Sequence, residues 1–275
     1  MTDKALLVGV NRYQIPGSDL NGCVNDVTNI RDILLKYYGF DVQHIRVLTD
    51  ERATRSGILS RLEWLTVDVQ AGDRLLFHFS GHGSQIRDRD GDELKDRMDE
   101  IICPHDMNWD GNHISDDDLR EVFSRLPKGG KLDVILDCCH AGTGTRETPR
   151  PSGCTDPETA PYRKPRFLPP PVDLQCRVPD DIDLPVARIL KAANPIGHVL
   201  FAGCKDNQTS ADARIEGRFH GAFSYFFCKH ARDAQGNITR GELLKRVRAS
   251  LRYEGFDQVP QLECTASGRK KGLMA

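Results

Sequence analysis

The chain predicts an α/β fold with a central, mostly parallel six-stranded sheet flanked by helices, and three observations carry that expectation. Short apolar runs rich in branched residues, ALLVGV at Ala5 to Val10, RLLFHF at Arg74 to Phe79 and LDVIL within Lys131 to Gly144, have the character of buried strands. Segments with apolar residues at helical spacing separate them, and a β-α-β-α-β order favours parallel strands with crossover helices. Two of these runs end in glycine-bounded clusters of reactive side chains, as strand ends at the rim of a parallel sheet often do.

Along the chain, Ala5 to Val10 is followed by a turn-rich loop through Asp19 with Pro16 and Gly17. A helix then runs to about Tyr38, with Val24, Val27, Ile30, Ile33 and Leu34 on one face and Gly39 as its stop. Val42 to Leu48 reads as a second strand and Thr54 to Val67 as a second helix built on Ile58, Leu59, Leu62 and Leu65. Arg74 to Phe79 is the third strand. Gln85 to Glu100 reads as a charged excursion, Ile101 to Cys103 as a short strand, and Asp116-Asp117-Asp118 open a helix to about Leu126, where acidic residues favour the positive end of the helix dipole. The strand from Lys131 leads into DCCHAG. Pro149 to Pro185 holds ten of the fifteen prolines and reads as a long irregular loop, taken here over about 145–185. His198 to Ala202 is a fifth strand, Cys204 to Gly221 a loop, Ala222 to Ala234 and Thr239 to Tyr253 helices, and Gln261 to Cys264 a sixth strand. Neither side of the proline-rich segment shows a core of its own, so residues 1–275 are expected to form one domain.

Composition narrows the function. A net charge of −2 gives no global field for nucleic acid or a membrane surface. No signal peptide or bilayer-spanning run is evident. Nine scattered cysteines, an odd number without a CxxC pair, suit free thiols in a reducing cytosol better than a disulfide framework or a structural zinc. A cytoplasmic, monomeric protein is the expectation.

Two clusters carry chemistry. SGHGS follows the third strand and places His82 between glycines, which leave an imidazole accessible and let another chain approach. DCCHAG follows the central strand and offers Asp137, Cys138, Cys139 and His140. In a parallel sheet both clusters lie on one edge, so His82 can face a thiol across a cleft. A thiol is mostly protonated near neutrality, and a neighbouring imidazole can stabilise the thiolate and then protonate a leaving amine.

With these motifs in view, the chain resembles the metacaspases, caspase-like cysteine peptidases, and in particular their compact bacterial type. LNGCVNDV, FHFSGHGS, DEIICPHD, DCCHAG and GCKDNQTSADA stand in family order and, apart from the proline-rich segment, span nearly the whole chain. The resemblance implies a caspase-like fold, a His82/Cys139 dyad, no redox or nucleotide cofactor, and cleavage after Arg or Lys in exposed segments of protein or peptide substrates. The family pattern Asp-Xaa-Cys-His-Xaa-Gly selects Cys139 over Cys138, which reads as a small buried hydrophobe. His82 is preferred to His140, because a sequence neighbour seldom points at its partner in an extended segment. The backbone N–H groups of Gly83 and Cys139 are candidates for an oxyanion hole. The resemblance also assigns Cys23, Asp26, Ser80 and Asp137 to the pocket for the basic side chain. Paired carboxylates suit a guanidinium and repel an acidic group. Finally, it suggests a calcium site at Asp99, Asp116 and Asp117. The further aspartate of that site is replaced here by Arg146, with Glu147 beside it, so weak, millimolar-range activation by Ca²⁺ is the expectation. The proline-rich loop carries Arg146, Arg150, Arg163, Lys164, Arg166 and Arg177, so an enzyme that cuts after basic residues is expected to cut itself there.

Two other readings compete. A cysteine-dependent phosphatase needs five residues between cysteine and arginine, and Cys139 to Arg146 leaves six. A catalytically silent caspase-like interaction module would have lost the dyad, and both members are present.

Overall fold

The residues that alternate least in polarity form the centre of the sheet, because strands covered by helices on both faces have no wet side. The computed structural model describes residues 2–87, 98–127, 129–140, 162–175, 198–205 and 208–275. Its strands are β1 (Lys4–Gly9), β2 (Ile45–Thr49), β3 (Arg74–Ser80), β4 (Gly83–Arg87), β5 (Met98–Ile102), β6 (Ile114–Ser115), β7 (Lys131–Asp137), β8 (Arg163–Pro165), β9 (Val199–Ala202), β10 (Ala211–Ile215), β11 (Arg218–Gly221) and β12 (Gln261–Glu263). Its helices are α1 (Cys23–Tyr37), α2 (Arg55–Thr66), α3 (Asp116–Ser124), α4 (Val172–Gln175), α5 (Ala222–Asp233), α6 (Arg240–Tyr253) and α7 (Ala266–Arg269).

Six strands share one sheet in the order β12-β9-β7-β3-β1-β2. All its pairings are parallel except that of β12 with β9. The mostly parallel six-stranded sheet is therefore as expected. One apolar face packs α2 and α3 through Ile58, Leu62, Leu65, Leu119 and Phe123. The other packs α1, α5 and α6 through Ile30, Leu34, Phe223, Phe227, Leu243 and Val247. Thr54 and Thr239 accept hydrogen bonds from Gly57 N–H and Glu242 N–H and so start α2 and α6, and a reciprocal Ser115/Asp118 pair starts α3.

Several expectations are corrected. Val42 to His44 is a 3₁₀ turn capped by Asp41, and the strand begins only at Ile45, since Val42 is exposed. The ends of the charged excursion are strands: β4 pairs antiparallel with β5 and β5 with β6, forming a small second sheet. The expected loop from Cys204 to Gly221 contains the β10–β11 hairpin. Of the proline-rich segment, residues 162–175 are described, and they are not an irregular loop: Arg163–Pro165 pair antiparallel with β10 and Val172–Gln175 form a helical turn. Among the described residues no helix is long and apolar enough to cross a membrane.

One core residue makes acid stability predictable. His78 lies in the middle of β3, fully buried, with neither ring nitrogen hydrogen-bonded. Burial pushes its imidazole down to about 3. A folded-state value below the unfolded one means that the unfolded chain binds the extra proton. The contribution is whole above pH 6.5 and is lost as the pH falls toward 3, at about 1.4 kcal/mol per pH unit. His78→Leu is therefore expected to flatten the acid side of the stability curve between pH 6.5 and 4, measured by urea unfolding at a series of pH values.

Candidate active site

Parallel pairing of β3 with β7 sets the site. Ser80 stands opposite Asp137 in register, so the two chains leave the sheet side by side, one toward His82 and Gly83 and the other toward Cys138 and Cys139. No side chain larger than hydrogen fits at position 83, where a Cβ would collide with the Cys139 carbonyl and the His140 ring. That close approach explains Gly83 better than backbone conformation does.

Cys139 is fully buried; its Sγ donates to Ser210 O at 3.6 Å and accepts from Ser210 N–H. The His82 ring nitrogen Nε2 is 2.7 Å from Ser18 O, while Nδ1 has no partner. The hydroxyl of Tyr13 accepts from His82 N–H at 2.7 Å, and the two rings meet at a tilt of 52° with centroids 4.9 Å apart. Burial lowers the His82 imidazole to about 4, against the opposing pull of the Ser18 and Arg166 carbonyls. No hydrogen bond joins His82 to Cys139. Among the described residues the thiol–imidazole contact is instead Cys138 Sγ to His140 Nε2 at 3.4 Å. There burial pushes the Cys138 thiol up and the His140 imidazole down to about 4, so both members are neutral. The other nitrogen of His140 is held by Ile101 O at 3.2 Å.

The cleft is filled by the chain itself. Arg166 N–H donates to Ser210 O at 2.9 Å, continuing the pairing of β8 with β10. Its carbonyl accepts from Gly83 N–H at 3.1 Å and from Cys139 N–H at 3.2 Å, the two donors named from the sequence. Beyond it, Leu168 N–H donates to Gly83 O at 2.9 Å and Ser84 Oγ to Leu168 O at 2.6 Å.

The Arg166 side chain is fully buried and ends among carboxylates. Its Nη2 lies 2.8 Å from Asp26 Oδ2 and 3.0 Å from Asp212 Oδ1, and its Nη1 lies 3.2 Å from Asp137 Oδ2. Nη1 also donates to Ser80 Oγ at 2.7 Å, and Ser80 in turn donates to Asp26 Oδ2 at 2.8 Å. Backbone donors hold the acids. Gly221 N–H reaches both oxygens of Asp26, Ser224 N–H at the start of α5 reaches Asp137, and Asn21 and Gly22 N–H reach Asp212. Asp26 lies in the first turn of α1 and Asp137 beside the first turn of α5, where helix dipoles favour negative charge. Burial still raises the Asp26 carboxyl, with the Arg166 charge opposing it. Gly221 forms the floor: a Cβ there would collide with the Asp137 carboxylate and the Arg166 guanidinium.

Thus Asp26, Ser80 and Asp137 meet at one point, with Cys23 fully buried next to them, its thiol pushed up by burial. Sequence reasoning did not single out Asp212, Tyr13 or Gln258. Gln258 donates to Ser210 Oγ and to Gly203 O, which positions the start of β10. Asp212 lies within the GCKDNQTSADA segment, whose resemblance was visible although no role was given to the acid. Asp99, Asp116 and Asp117 lie apart from this cleft, with ligand oxygens within 4.8 Å of one another. Arg146 and Glu147 lie outside the described residues.

A buried cysteine and an imidazole-bearing turn leave adjacent strands of a parallel sheet side by side, and two N–H groups converge on one peptide carbonyl between them, the layout of a caspase-like fold. The family model of the metacaspase peptidase C14 domain matches residues 3–146. Metacaspase-1 of Schizosaccharomyces pombe is 33% identical over 95% of this chain and 67% of its own length. Metacaspase-1 of Eremothecium gossypii is 32% identical, over 95% and 64%. The chain belongs to the metacaspases, and it spans about two thirds of the length of these curated relatives. Among solved structures, a protein of Geobacter sulfurreducens aligns with a TM-score of 0.67 at 21% identity, over 98% of this chain and 97% of that one. Caspase-1 of Spodoptera frugiperda aligns with a TM-score of 0.59 at 16% identity, over 95% and 86%. These two likenesses establish the fold.

The arrangement of charge leads to a stability prediction. Removing the one cation leaves three buried carboxylates facing one another, a loss of roughly 3 kcal/mol or more. Arg166→Ala is expected to lower unfolding stability by that order at pH 7. Acids left without a cation have raised folded-state values, so the difference from wild type should shrink as the pH falls into the carboxylate range. Denaturant unfolding of both proteins at pH 7 and pH 5 checks the size and the trend.

Proposed function

We propose that the chain is a cysteine endopeptidase that cuts after arginine or lysine, and that its own Arg166–Phe167 bond is one of its substrates. One observation carries this reading: the Arg166 guanidinium lies among three carboxylates while its carbonyl accepts from Gly83 and Cys139 N–H. A basic residue bound in that way presents its carbonyl carbon to the nucleophile strand. Three acids around one guanidinium favour a cation and disfavour an acidic side chain.

In the reaction, the Cys139 thiol gives its proton to His82 and Sγ attacks the carbonyl carbon. Because burial holds the imidazole mostly neutral at neutral pH, it is available as the base. The two N–H donors stabilise the oxyanion of the tetrahedral intermediate. When the C–N bond breaks, the imidazolium protonates the departing amine of the following residue. Water, deprotonated by the same imidazole, then cleaves the thioester and restores the thiol. Protein substrates with accessible Arg or Lys fit this chemistry.

The expected result on incubating the purified chain is a new N-terminus at Phe167, identified by intact mass and N-terminal sequencing. Cys139→Ala and His82→Ala should each abolish the cut, lowering the rate by at least about 10³-fold, the scale lost with a catalytic group, whereas Cys138→Ala should retain it. A wild-type cut only at other bonds, or an unchanged cut in Cys139→Ala, would refute the assignment.

We further propose weak stimulation by Ca²⁺ at Asp99, Asp116 and Asp117. Clustered carboxylate oxygens are the donor set that calcium prefers. Arg120, one helical turn on, reaches Asp116 at 3.2 Å and also contacts Asp117, so a bound ion would compete with a guanidinium already in place. That competition supports millimolar-range affinity, the loosest class of calcium sites. Calorimetric titration of chelator-treated protein is expected to show such binding, weakened at least tenfold in Asp117→Ala. Heats identical in the two proteins would mean that the ion binds elsewhere.

A further inference from the structure

The strand that fills the cleft makes contacts beyond Arg166. Arg163, the third residue before it, projects onto the C-terminal end of α6. Its Nη1 donates to Gly255 O at 2.5 Å, its Nη2 donates to Glu254 O at 2.8 Å, and its guanidinium carbon lies 4.1 Å from the centroid of the Phe256 ring. Each of these partners has its place for a local reason. Gly255 takes a left-handed conformation, φ +70°, just after the last helical turn. Gly255 N–H then bonds Arg252 O at 3.1 Å and Phe256 N–H bonds Leu251 O at 2.8 Å, the paired closure of a Schellman turn. The turn leaves the Glu254 and Gly255 carbonyls pointing outward at the negative end of the helix and fixes the ring beside them, packed against the core. The carboxylates of Asp257 and Glu254 add to the field, offsetting the burial that lowers the Arg163 guanidinium.

We infer that Phe256, with the carbonyls of Glu254 and Gly255, forms a second basic subsite that takes an arginine three residues before the arginine at the cut, so that the enzyme reads Arg-Xaa-Xaa-Arg. This inference rests on the proposed cleavage after basic residues, because the register is counted from Arg166. Three features match a guanidinium and not merely a positive charge. The planar group stacks on the ring, and its two terminal nitrogens reach two separate carbonyls at once. A lysine ammonium can reach only part of this set. The site lies on the described core of the chain and not on the bound strand, so it remains for a substrate that replaces that strand.

The test uses the full-length, active enzyme and four fluorogenic tetrapeptides that differ only in the first residue: Arg-Lys-Pro-Arg, Lys-Lys-Pro-Arg, citrulline-Lys-Pro-Arg and Ala-Lys-Pro-Arg, each with the dye amide after the last arginine. Citrulline keeps the shape of arginine without its charge. The expected order in kcat/KM is Arg above Lys above citrulline and Ala, with about a tenfold or larger gap between Arg and Ala, equivalent to ~1.4 kcal/mol. In Phe256→Ala, and to a lesser extent in Phe256→Leu, which keeps the packing, the ratio of Arg to Ala should collapse toward one. In the chain itself, Arg163→Ala should slow the appearance of the Phe167 N-terminus by a comparable factor. Equal rates for all four peptides in wild type would overturn the second subsite and leave cleavage after arginine standing. Failure to cut any of the four, or any other peptide after arginine, would overturn the reading on which it rests, and the subsite with it.

Discussion

One guanidinium and three carboxyl groups without solvent contact, Arg166 against Asp26, Asp137 and Asp212, are the constraint around which the rest of the cleft is arranged. Burying such groups costs several kcal/mol each unless every oxygen and proton is engaged. The chain meets that demand for the carboxyl groups with donors from distant segments, Asn21 and Gly22 before α1, Ser80 at the end of β3, Gly221 and Ser224 around the start of α5, and leaves Arg166 Nε without a partner. The loops at the rim of the sheet are therefore tied to one point. Space is as tightly constrained as charge. Cβ atoms at Gly22 and Gly221 would meet the Asp212 carboxylate and the guanidinium, so both positions must remain bare.

The same rim carries His82 and Cys139 because neighbouring parallel strands end level with each other. The Ser80–Asp137 register puts the acid that holds the substrate-like side chain and the cysteine that follows it two residues apart on one chain. The imidazole loop is the next chain over. Tyr13 ties that loop to the β1 side by accepting from His82 N–H, and its ring backs the imidazole.

Much of this was legible in the sequence. The six main strands appear as apolar runs because both faces are covered, and all but one of the runs found their strand within a residue or two. Val42 misled because a β-branched residue at a turn resembles a strand start. β4 and the β10–β11 hairpin were missed, and β5 was found only at its Ile101-Ile102 end, because they lie outside the main sheet and carry charged side chains among few large apolar ones. Asp26 and Asp137 were found only through resemblance, since each alone reads as an ordinary acid near a helix or strand end. The partnership of Arg166 with Asp26 spans 140 residues and that with Asp212 spans 46, and no local pattern encodes either. From the sequence Arg166 was only one of several basic residues open to self-cleavage in a proline-rich segment, because a three-residue strand at a cleft leaves almost no periodicity to read.

The occupant of the pocket is covalently part of the chain, and that changes how access must be understood. A segment tethered this way acts at an effective concentration of order millimolar, whatever the amount of protein in solution. A substrate arriving from outside competes against that fixed value, so dilution cannot open the cleft. Cutting the bond after Arg166 does not by itself remove the occupant either. The new carboxylate would still belong to a strand joined to Cys139 through the preceding residues, and its negative oxygens would meet the same N–H donors that held the neutral carbonyl. For the proposed peptidase, access to the cleft would then be governed by release of this strand, an intramolecular equilibrium, and not by the peptide bond alone.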